Sequence, residues 1–349
     1  MISNWTRSRD FKISSNCPLV MASQTLSGLV PKALKASVIL FPGQGSQYVG
    51  MVKELSGKGK TLFEMANQVL GYDLLSLCRD GPESELNKTV HSQPAVFVSS
   101  LAAVERLAEM SIGAVEKCRA TAGHSVGEFA ALVLAQSIDF VDALKVLKLR
   151  AEATQALCEE FPSGMLTVVA GKAGRIPQVC LMAREYCIRS GISPEESICA
   201  ISNHLFPHTK VVGGHLKAIE FIERNGKDFG IKRMKRLAVS GAFHTQVMRP
   251  AGDEIKKALE KIEIKDPKIK VYENITGQVY ENAGQIRSSL VKHVYMPVLW
   301  EQIMQNLYSD IREGEELPVT FECGPDNNMT TMLGMVNLKA KKLAYNIEP

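Results

Sequence analysis

The fold is decided by residues 123–132, which read Gly-His-Ser-Val-Gly-Glu-Phe-Ala-Ala-Leu. A short strand before Ser125 and a strongly apolar helix after it predict a strand–turn–helix of the Gly-x-Ser-x-Gly nucleophile elbow type. Gly123 and Gly127 would let the strand and helix backbones approach closely, and the helix suits burial beside a parallel sheet. The first N–H groups of the helix would face a developing oxyanion. The alternative interpretation of the pentapeptide is a buried Gly-Ser turn without chemistry.

Length and composition set the class of protein. The chain has 349 residues, 45% hydrophobic and 22% charged, which allows a large core plus a second, smaller unit. The net charge of +4 is not concentrated in one tract, so it gives no support to nucleic-acid binding and is compatible with an acidic protein partner. No apolar run reaches the roughly 18–20 residues of a membrane span. The eight cysteines contain no C-x-x-C pair and the seven histidines show no metal spacing, so no metal site is predicted.

Residues 1–36 differ from the rest of the chain. This segment is basic, contains many serines and has Asp10 as its acidic residue. Such a composition resembles a mitochondrial transit peptide, and the alternative is a poorly ordered N-terminal tail. We therefore expect a location in the mitochondrial matrix, with the cytoplasm as the alternative, and reduced cysteines in either case.

The first ordered elements lead to the serine turn. An apolar strand at 37–41 enters a Gly-rich loop at 42–47, which lacks the Gly-Lys-Ser/Thr ending of a phosphate loop. Helical patterns occupy 61–110, and a short strand at 120–122 precedes the turn.

A long helix at 139–160, with Asp139 as its predicted N-cap, contains an unexpected charge. Arg150 falls within the apolar stripe of this helix, where a guanidinium is costly unless it has a partner. Either it binds something in the interior, or its side chain reaches water or pairs with a structural carboxylate.

Residues 163–238 form a separate pattern. The predicted elements are a strand at 165–170, a helix at 176–189, strands at 198–202 and 210–213, a helix at 216–225 and a strand at 232–239. This βαββαβ order is typical of a ferredoxin-like unit. Strands at 269–272 and 319–323 and helical stretches at 288–307 and 330–336 then resume the first pattern, so the unit is interpreted as an insertion.

A serine nucleophile needs a base, and one histidine is well placed to supply it. His244 follows the last strand of the insertion in a small-residue turn, where it could point at a site between the two domains or lie exposed in a loop. His124 adjoins the serine, but we expect its side chain to point the other way and to be structural.

Several motifs together resemble one family. They are the segments at 41–47, 86–89, 93–95, 123–128, 138–140, 241–245 and 295–300. With them the chain resembles the malonyl-CoA:acyl carrier protein transacylases, and with its N-terminal segment the mitochondrial type. The predicted fold class is α/β. A large α/β-hydrolase-like domain with a mostly parallel sheet comprises 37–162 and 239–349, and an inserted small ferredoxin-like domain comprises 163–238.

The resemblance implies roles for the serine and its partners. Ser125 matches the acylated nucleophile, and His244 matches the general base. No Asp completes a triad in these motifs. The family orients its base with a main-chain carbonyl that falls at about His293 here, so the imidazole of His293 would be incidental.

The resemblance also implies how substrate is held. The backbone N–H groups of Gln44 and Val126 match the oxyanion-hole donors. Arg150 matches the arginine that binds the malonyl carboxylate, which explains a charge on a core face. The chain departs from the family pattern in two places, both of which concern contacts with the thioester and the carrier. Leu205 and Thr209 stand where the family often has Asn and Gln, and Asp326-Asn327 replaces the usual Gly-Lys.

The implied function is acyl transfer. A malonyl group would move from malonyl-CoA to the phosphopantetheine thiol of acyl carrier protein through a malonyl-serine, supplying fatty acid synthesis. No bound cofactor or metal is expected, and the partners would be malonyl-CoA and acyl carrier protein rather than nucleic acid or a membrane. The basic stretch at 232–236 is either a solvated strand edge or part of a carrier-docking surface. The competing hypotheses are a serine acyl hydrolase and a catalytically silent scaffold that binds carrier protein.

Overall fold

The computed structural model describes residues 34–55, 57–311 and 315–349. The predicted leader at 1–36 therefore lies outside the described residues, apart from its last three positions. Of these, Leu34 is buried against the main hydrophobic core, and its carbonyl accepts a hydrogen bond from Lys117 Nζ at 2.8 Å.

The strands and helices are numbered along the described chain. The strands are β1 (Ser37–Phe41), β2 (Cys118–Gly123), β3 (Ser163–Ala170), β4 (Cys199–Phe206), β5 (Thr209–His215), β6 (Ile231–Arg236), β7 (Lys270–Tyr272), β8 (Val319–Cys323) and β9 (Ala344–Ile347). The helices are α1 (Gly57–Leu70), α2 (Leu74–Asp80), α3 (Glu83–Leu86), α4 (Thr89–Met110), α5 (Ile112–Glu116), α6 (Val126–Leu134), α7 (Phe140–Glu160), α8 (Ile176–Arg189), α9 (Leu216–Asn225), α10 (Arg249–Leu259), α11 (Ala283–His293), α12 (Trp300–Asn306), α13 (Asn328–Val336) and α14 (Leu338–Lys341).

The larger sheet is parallel and has the order β7-β2-β1-β8-β9. Every residue of its central strand β1 is buried, as expected for a parallel strand covered on both faces. Phe41 is in register with Gly123, and Leu40 with Glu322. The carboxyl ends of β1, β2 and β8 therefore meet at one edge, where ligands of open α/β sheets bind. This edge carries the loop at 42–47 and the serine turn.

The smaller sheet is antiparallel, with the order β4-β5-β3-β6. Successive side chains of a strand point to opposite faces, and β3 uses both. Leu166 and Val168 pack in a second hydrophobic core with α8 and α9, whereas Thr167 and Val169 line a cleft. The chain thus forms an α/β fold in which a parallel sheet and a second, antiparallel sheet have separate hydrophobic cores.

Most predicted elements are confirmed, and the bounds of α8, α9 and β8 agree with the prediction. Three details differ. The strand predicted to end at 239 ends at Arg236, and the residues that follow line the cleft instead. The helical stretch at 288–307 is two helices, because Pro297 lies in the interruption between them. Asp139 holds the N-cap position of α7, but its side chain makes no capping hydrogen bond.

Candidate active site

Ser125 lies at the tip of a sharp turn between β2 and α6. Its backbone has φ 52° and ψ −111°, a conformation that side-chain-bearing residues rarely adopt. A Cβ added at Gly123 would lie 1.9 Å from the carbonyl of Gly127, and one at Gly127 would lie 2.5 Å from the Phe41 carbonyl oxygen. Only glycine fits at either position, so the predicted nucleophile-elbow geometry is present.

His244 lines the same cleft as the serine and is hydrogen-bonded to it. Its Nε2 lies 2.8 Å from Ser125 Oγ, and its Nδ1 lies 2.9 Å from the carbonyl oxygen of His293 and 3.2 Å from that of Met296. Since a carbonyl oxygen can only accept, Nδ1 carries the proton and Nε2 accepts from the serine hydroxyl. His244 is buried rather than exposed in a loop.

The electrostatics of the site keep His244 neutral. Burial lowers its pKa to about 3, and the nearby positive charge of Arg150 is the next cause. A neutral imidazole is the form that can take a proton from a hydroxyl at neutral pH.

Arg150 points from α7 into the same interior. The residue is only 1% exposed; its Nη2 donates to Ser125 Oγ at 3.1 Å and its Nη1 to Gln93 Oε1 at 2.6 Å. Its Nε finds no acceptor among the described residues. Burial lowers the pKa of Arg150 to about 10, so the guanidinium stays charged at neutral pH. The hydrogen bonds of this guanidinium go to neutral groups, which leaves the charge available to an anion beside the serine.

The two predicted oxyanion-hole donors lie in different elements, one in the loop after β1 and one in the elbow itself. Gln44 lies in the loop after β1 and lines the cleft, and its side chain bonds to Thr89 and Gln93, each at 3.3 Å. Val126 is the first residue of α6, where an N–H has no partner within its own helix. The elbow is tied to the end of β1 because His124 N–H donates to the Phe41 carbonyl at 2.9 Å.

The imidazole of His293 lies close to the site without touching the serine. Its Nε2 is 3.4 Å from Oε2 of Glu128 and 3.4 Å from Oδ1 of Asn274. Burial lowers the pKa of His293 well below its ordinary value and raises that of Glu128 to about 8, so both are mainly neutral at pH 7. His124, expected to be structural, is half-buried and packs edge-on against Trp300; its Nε2 lies 3.3 Å from Asn203 Nδ2, although the residue also borders the cleft.

Three buried polar residues around the site had no predicted role of their own: Gln93, Glu128 and Asn274. Glu128 is a carboxyl group in the first turn of an otherwise apolar helix, and this mismatch is a signal that the sequence does contain. Gln93 and Asn274 lie far from Ser125 along the chain and show no such signal.

The cleft in front of Ser125 has a volume of about 590 Å³ and runs between the two sheets. Its walls are mainly apolar and include Met165, Leu205 and Met332, while Lys232 and Arg233 of β6 also line it. No cluster of His, Cys, Asp or Glu in the described ranges could hold a metal ion. Among the helices that the structure describes, none is long and apolar enough to cross a membrane.

Comparison with known proteins agrees with these features. A family model described as the acyl transferase domain matches residues 38–312. The chain is 46% identical to the mitochondrial malonyl-CoA-acyl carrier protein transacylase of Mus musculus, over 90% of this chain and 82% of the relative.

Two solved structures share the architecture. The malonyl CoA-acyl carrier protein transacylase from Coxiella burnetii superposes with a TM-score of 0.79 at 28% identity, over 90% of this chain and 94% of its own. A malonyl-transacylase in complex with a type II PKS acyl-carrier protein superposes with a TM-score of 0.75 at 30% identity, over 89% and 94% of the two chains. The chain therefore belongs to the acyl transferase domain family and, within it, to the malonyl-CoA-acyl carrier protein transacylases of the mitochondrial type.

Proposed function

We propose that the protein transfers a malonyl group from malonyl-CoA to the phosphopantetheine thiol of acyl carrier protein through a malonyl ester of Ser125. The observation that carries the proposal is a buried, charged guanidinium 3.1 Å from a serine hydroxyl that is also hydrogen-bonded to a neutral imidazole. A planar guanidinium binds a carboxylate bidentately, and a malonyl thioester carries its carboxylate two bonds from the carbonyl that reacts.

In the first half-reaction Ser125 Oγ attacks the thioester carbonyl, and His244 Nε2 takes the hydroxyl proton. The backbone N–H groups of Gln44 and Val126 stabilise the oxyanion, each contributing about 3 kcal/mol. The C–S bond then breaks, His244 returns the proton to the CoA sulfur, and the malonyl group remains on the serine.

The second half-reaction reverses these steps with a different thiol. The phosphopantetheine thiol gives its proton to His244 Nε2, and its sulfur attacks the ester carbonyl. The C–O bond breaks, Ser125 Oγ recovers the proton, and the product is a malonyl thioester of the carrier. No metal or bound cofactor takes part in this scheme.

The orientation of the base favours this chemistry over an α/β-hydrolase triad. A triad places a carboxylate against Nδ1, whereas the Nδ1 of His244 donates to the carbonyls of His293 and Met296. The apolar walls of the cleft also disfavour water as acceptor, which supports transfer over hydrolysis.

We further propose that the basic part of β6 helps to dock the acidic carrier. Lys232, Arg233 and Lys235 line the cleft that a phosphopantetheine arm must enter. Charge reversal of Lys232 and Arg233 is expected to raise KM for carrier protein and leave KM for malonyl-CoA unchanged. If the variant has the same KM for carrier protein and the same KM for malonyl-CoA as wild type, β6 is a solvated strand edge and not a docking surface.

We also propose the domain boundaries of the protein and its location in the cell. We assign 37–162 and 239–349 to an α/β-hydrolase-like domain and 163–238 to a ferredoxin-like insertion, a division supported by two separate cores. The order β4-β5-β3-β6 supports the ferredoxin-like description. The mitochondrial naming of the mouse relative supports a matrix location.

The deciding experiment is mass spectrometry of the intact protein. Malonyl-CoA should add one malonyl mass at Ser125, acyl carrier protein should remove it as malonyl-carrier, and Ser125→Ala should abolish the adduct. Free malonate as the main product in the presence of carrier would favour a hydrolase, and a wild-type serine that stays unmodified would favour a silent scaffold.

A further inference from the structure

The side chain of Asn274, in the turn after β7, is hydrogen-bonded to the backbone of the turn that carries Ser125. Its Oδ1 accepts from the Ser125 N–H at 2.7 Å, and its Nδ2 donates to the Gly123 carbonyl oxygen at 2.7 Å. Asn274 is fully buried. One amide side chain therefore binds the backbone on both sides of His124 with two short, charge-neutral hydrogen bonds.

This bridge acts where the backbone is strained. Ser125 has φ 52° and ψ −111°, and such conformations persist only when the surrounding structure imposes them. Asn274 binds the N–H of the strained residue itself, so its loss would let the turn relax. A relaxed turn would move Oγ away from His244 Nε2, with which it now makes a 2.8 Å hydrogen bond.

Asn274 is itself fixed by the network around Glu128. Its backbone N–H donates to Glu128 Oε2 at 2.9 Å, and the other oxygen of Glu128 is hydrogen-bonded to the hydroxyl of Tyr280. His293, whose carbonyl oxygen orients His244, contacts the same Asn274 Oδ1 at 3.4 Å. The supports of the nucleophile and of its base therefore meet at one side chain.

We propose that Asn274 is a positioning residue that holds Ser125 Oγ in line with His244, and that Glu128 holds Asn274 in turn. Asn274 does not line the cleft, so it acts through the elbow and not on substrate. The inference rests on the proposed acyl transfer, because it concerns the rate at which Ser125 is acylated.

The test compares Asn274→Ala with Asn225→Ala. Asn225 makes a similar amide-to-carbonyl bond, to Phe221 at 2.8 Å, but belongs to α9 beside the antiparallel sheet and does not line the cleft, so it is the control. The rate constant for malonylation by malonyl-CoA is measured by rapid quench and intact mass. The affinity for malonyl-CoA is measured by calorimetry in the Ser125→Ala background, with and without Asn274→Ala.

We expect Asn274→Ala to lower the acylation rate constant about 100-fold, as for a misplacement of about 1 Å, while the affinity changes less than about twofold. Asn225→Ala should stay within about threefold of wild type. If wild type is acylated and Asn274→Ala reacts within threefold of it, or if affinity falls as much as rate, the inference is overturned. Failure of wild type to acylate would instead overturn the proposed function.

A second variant covers the case in which Asn274→Ala does not fold. Asn274→Asp keeps the acceptor for the Ser125 N–H and replaces the donor to Gly123 with an oxygen. A roughly tenfold slower acylation at unchanged affinity supports the inference, and wild-type acylation by the folded aspartate variant contradicts it.

Discussion

Nη2 of Arg150, in the middle of α7, lies 3.1 Å from Oγ of Ser125, in the turn before α6, and neither residue is exposed. A guanidinium that close to the nucleophile can hold the distal carboxylate of a diacid while its thioester carbonyl reaches the serine. The same charge lowers the pKa of His244, whose Nε2 is hydrogen-bonded to the same Oγ. Arg150 therefore links substrate choice to the protonation state of the base.

Replacing Arg150 with alanine should reduce malonyl transfer far more than acetyl transfer. A charge-assisted hydrogen bond contributes about 1.5–3 kcal/mol, so kcat/KM for malonyl-CoA should fall roughly 10–100-fold or more, with a much smaller change for acetyl-CoA. Steady-state rates with both donors measure the ratio. Arg106→Ala is the control, since that guanidinium bonds the Glu348 carbonyl at 3.0 Å, outside the cleft. Equal losses for both donors would remove the carboxylate-binding role.

Gln93→Glu should weaken malonyl binding with little change in the shape of the site. Gln93 Oε1 already accepts from Arg150 Nη1 at 2.6 Å, and a carboxylate there would compete with malonate for the guanidinium. We expect KM for malonyl-CoA to rise roughly tenfold or more, with little change for acetyl-CoA. Gln155→Glu is a matched control on α7, where the side chain accepts from the Thr89 N–H at 3.0 Å. If KM for malonyl-CoA is unchanged in Gln93→Glu, a carboxylate at position 93 does not compete with malonate for Arg150.

The pH profile of serine reactivity should report the same coupling. Because the pKa of His244 is about 3, inactivation of wild type by a small uncharged sulfonyl fluoride should be nearly independent of pH from 5 to 7.5. Arg150→Ala removes one cause that lowers this pKa, so His244 should protonate at a higher pH. The pH below which inactivation slows should therefore be higher in this variant than in wild type. Arg106→Ala should keep the wild-type profile. If the inactivation rates of Arg150→Ala and wild type depend on pH in the same way, Arg150 does not lower the pKa of His244.

The sequence predicted the local parts of the structure better than the contacts between them. Helices with a clear apolar period, such as Ile176–Arg189 and Leu216–Asn225, were predicted to the residue. The helix at Arg249–Leu259 and the edge strand at Ala344–Ile347 were not predicted. The strand is short and only partly buried, so its apolar pattern is weak.

The same limit applies to the site. Ser125 and His244 lie within motifs of the sequence, whereas Arg150 was noticed as a charge in the apolar stripe of its helix and given its role by the family resemblance. The contacts of Asn274 with Ser125 and Glu128 span 149 and 146 positions of the chain. Such pairs form only when β2 and β7 lie side by side, and no periodicity along the sequence encodes that.

Glu128→Gln should change how stability depends on pH. Burial raises the pKa of Glu128 to about 8 in the folded protein, from an ordinary value of 4.5 when the chain unfolds. The stabilisation by the neutral carboxyl is therefore complete below about pH 4.5 and is lost as pH rises through about 8.

Glutamine does not ionise, so the melting temperature of wild type minus that of Glu128→Gln should decrease between pH 5 and 8.5. The expected decrease is roughly 2–4 °C for each kcal/mol of stabilisation that wild type loses. Groups that do not contact Glu128, including Glu322 with a pKa of about 7, ionise alike in both proteins and cancel in the difference. Scanning fluorimetry at several pH values measures the trend, with Glu281→Gln at an exposed position as control. A difference that stays constant or grows with pH would mean that Glu128 is ionised in its buried site.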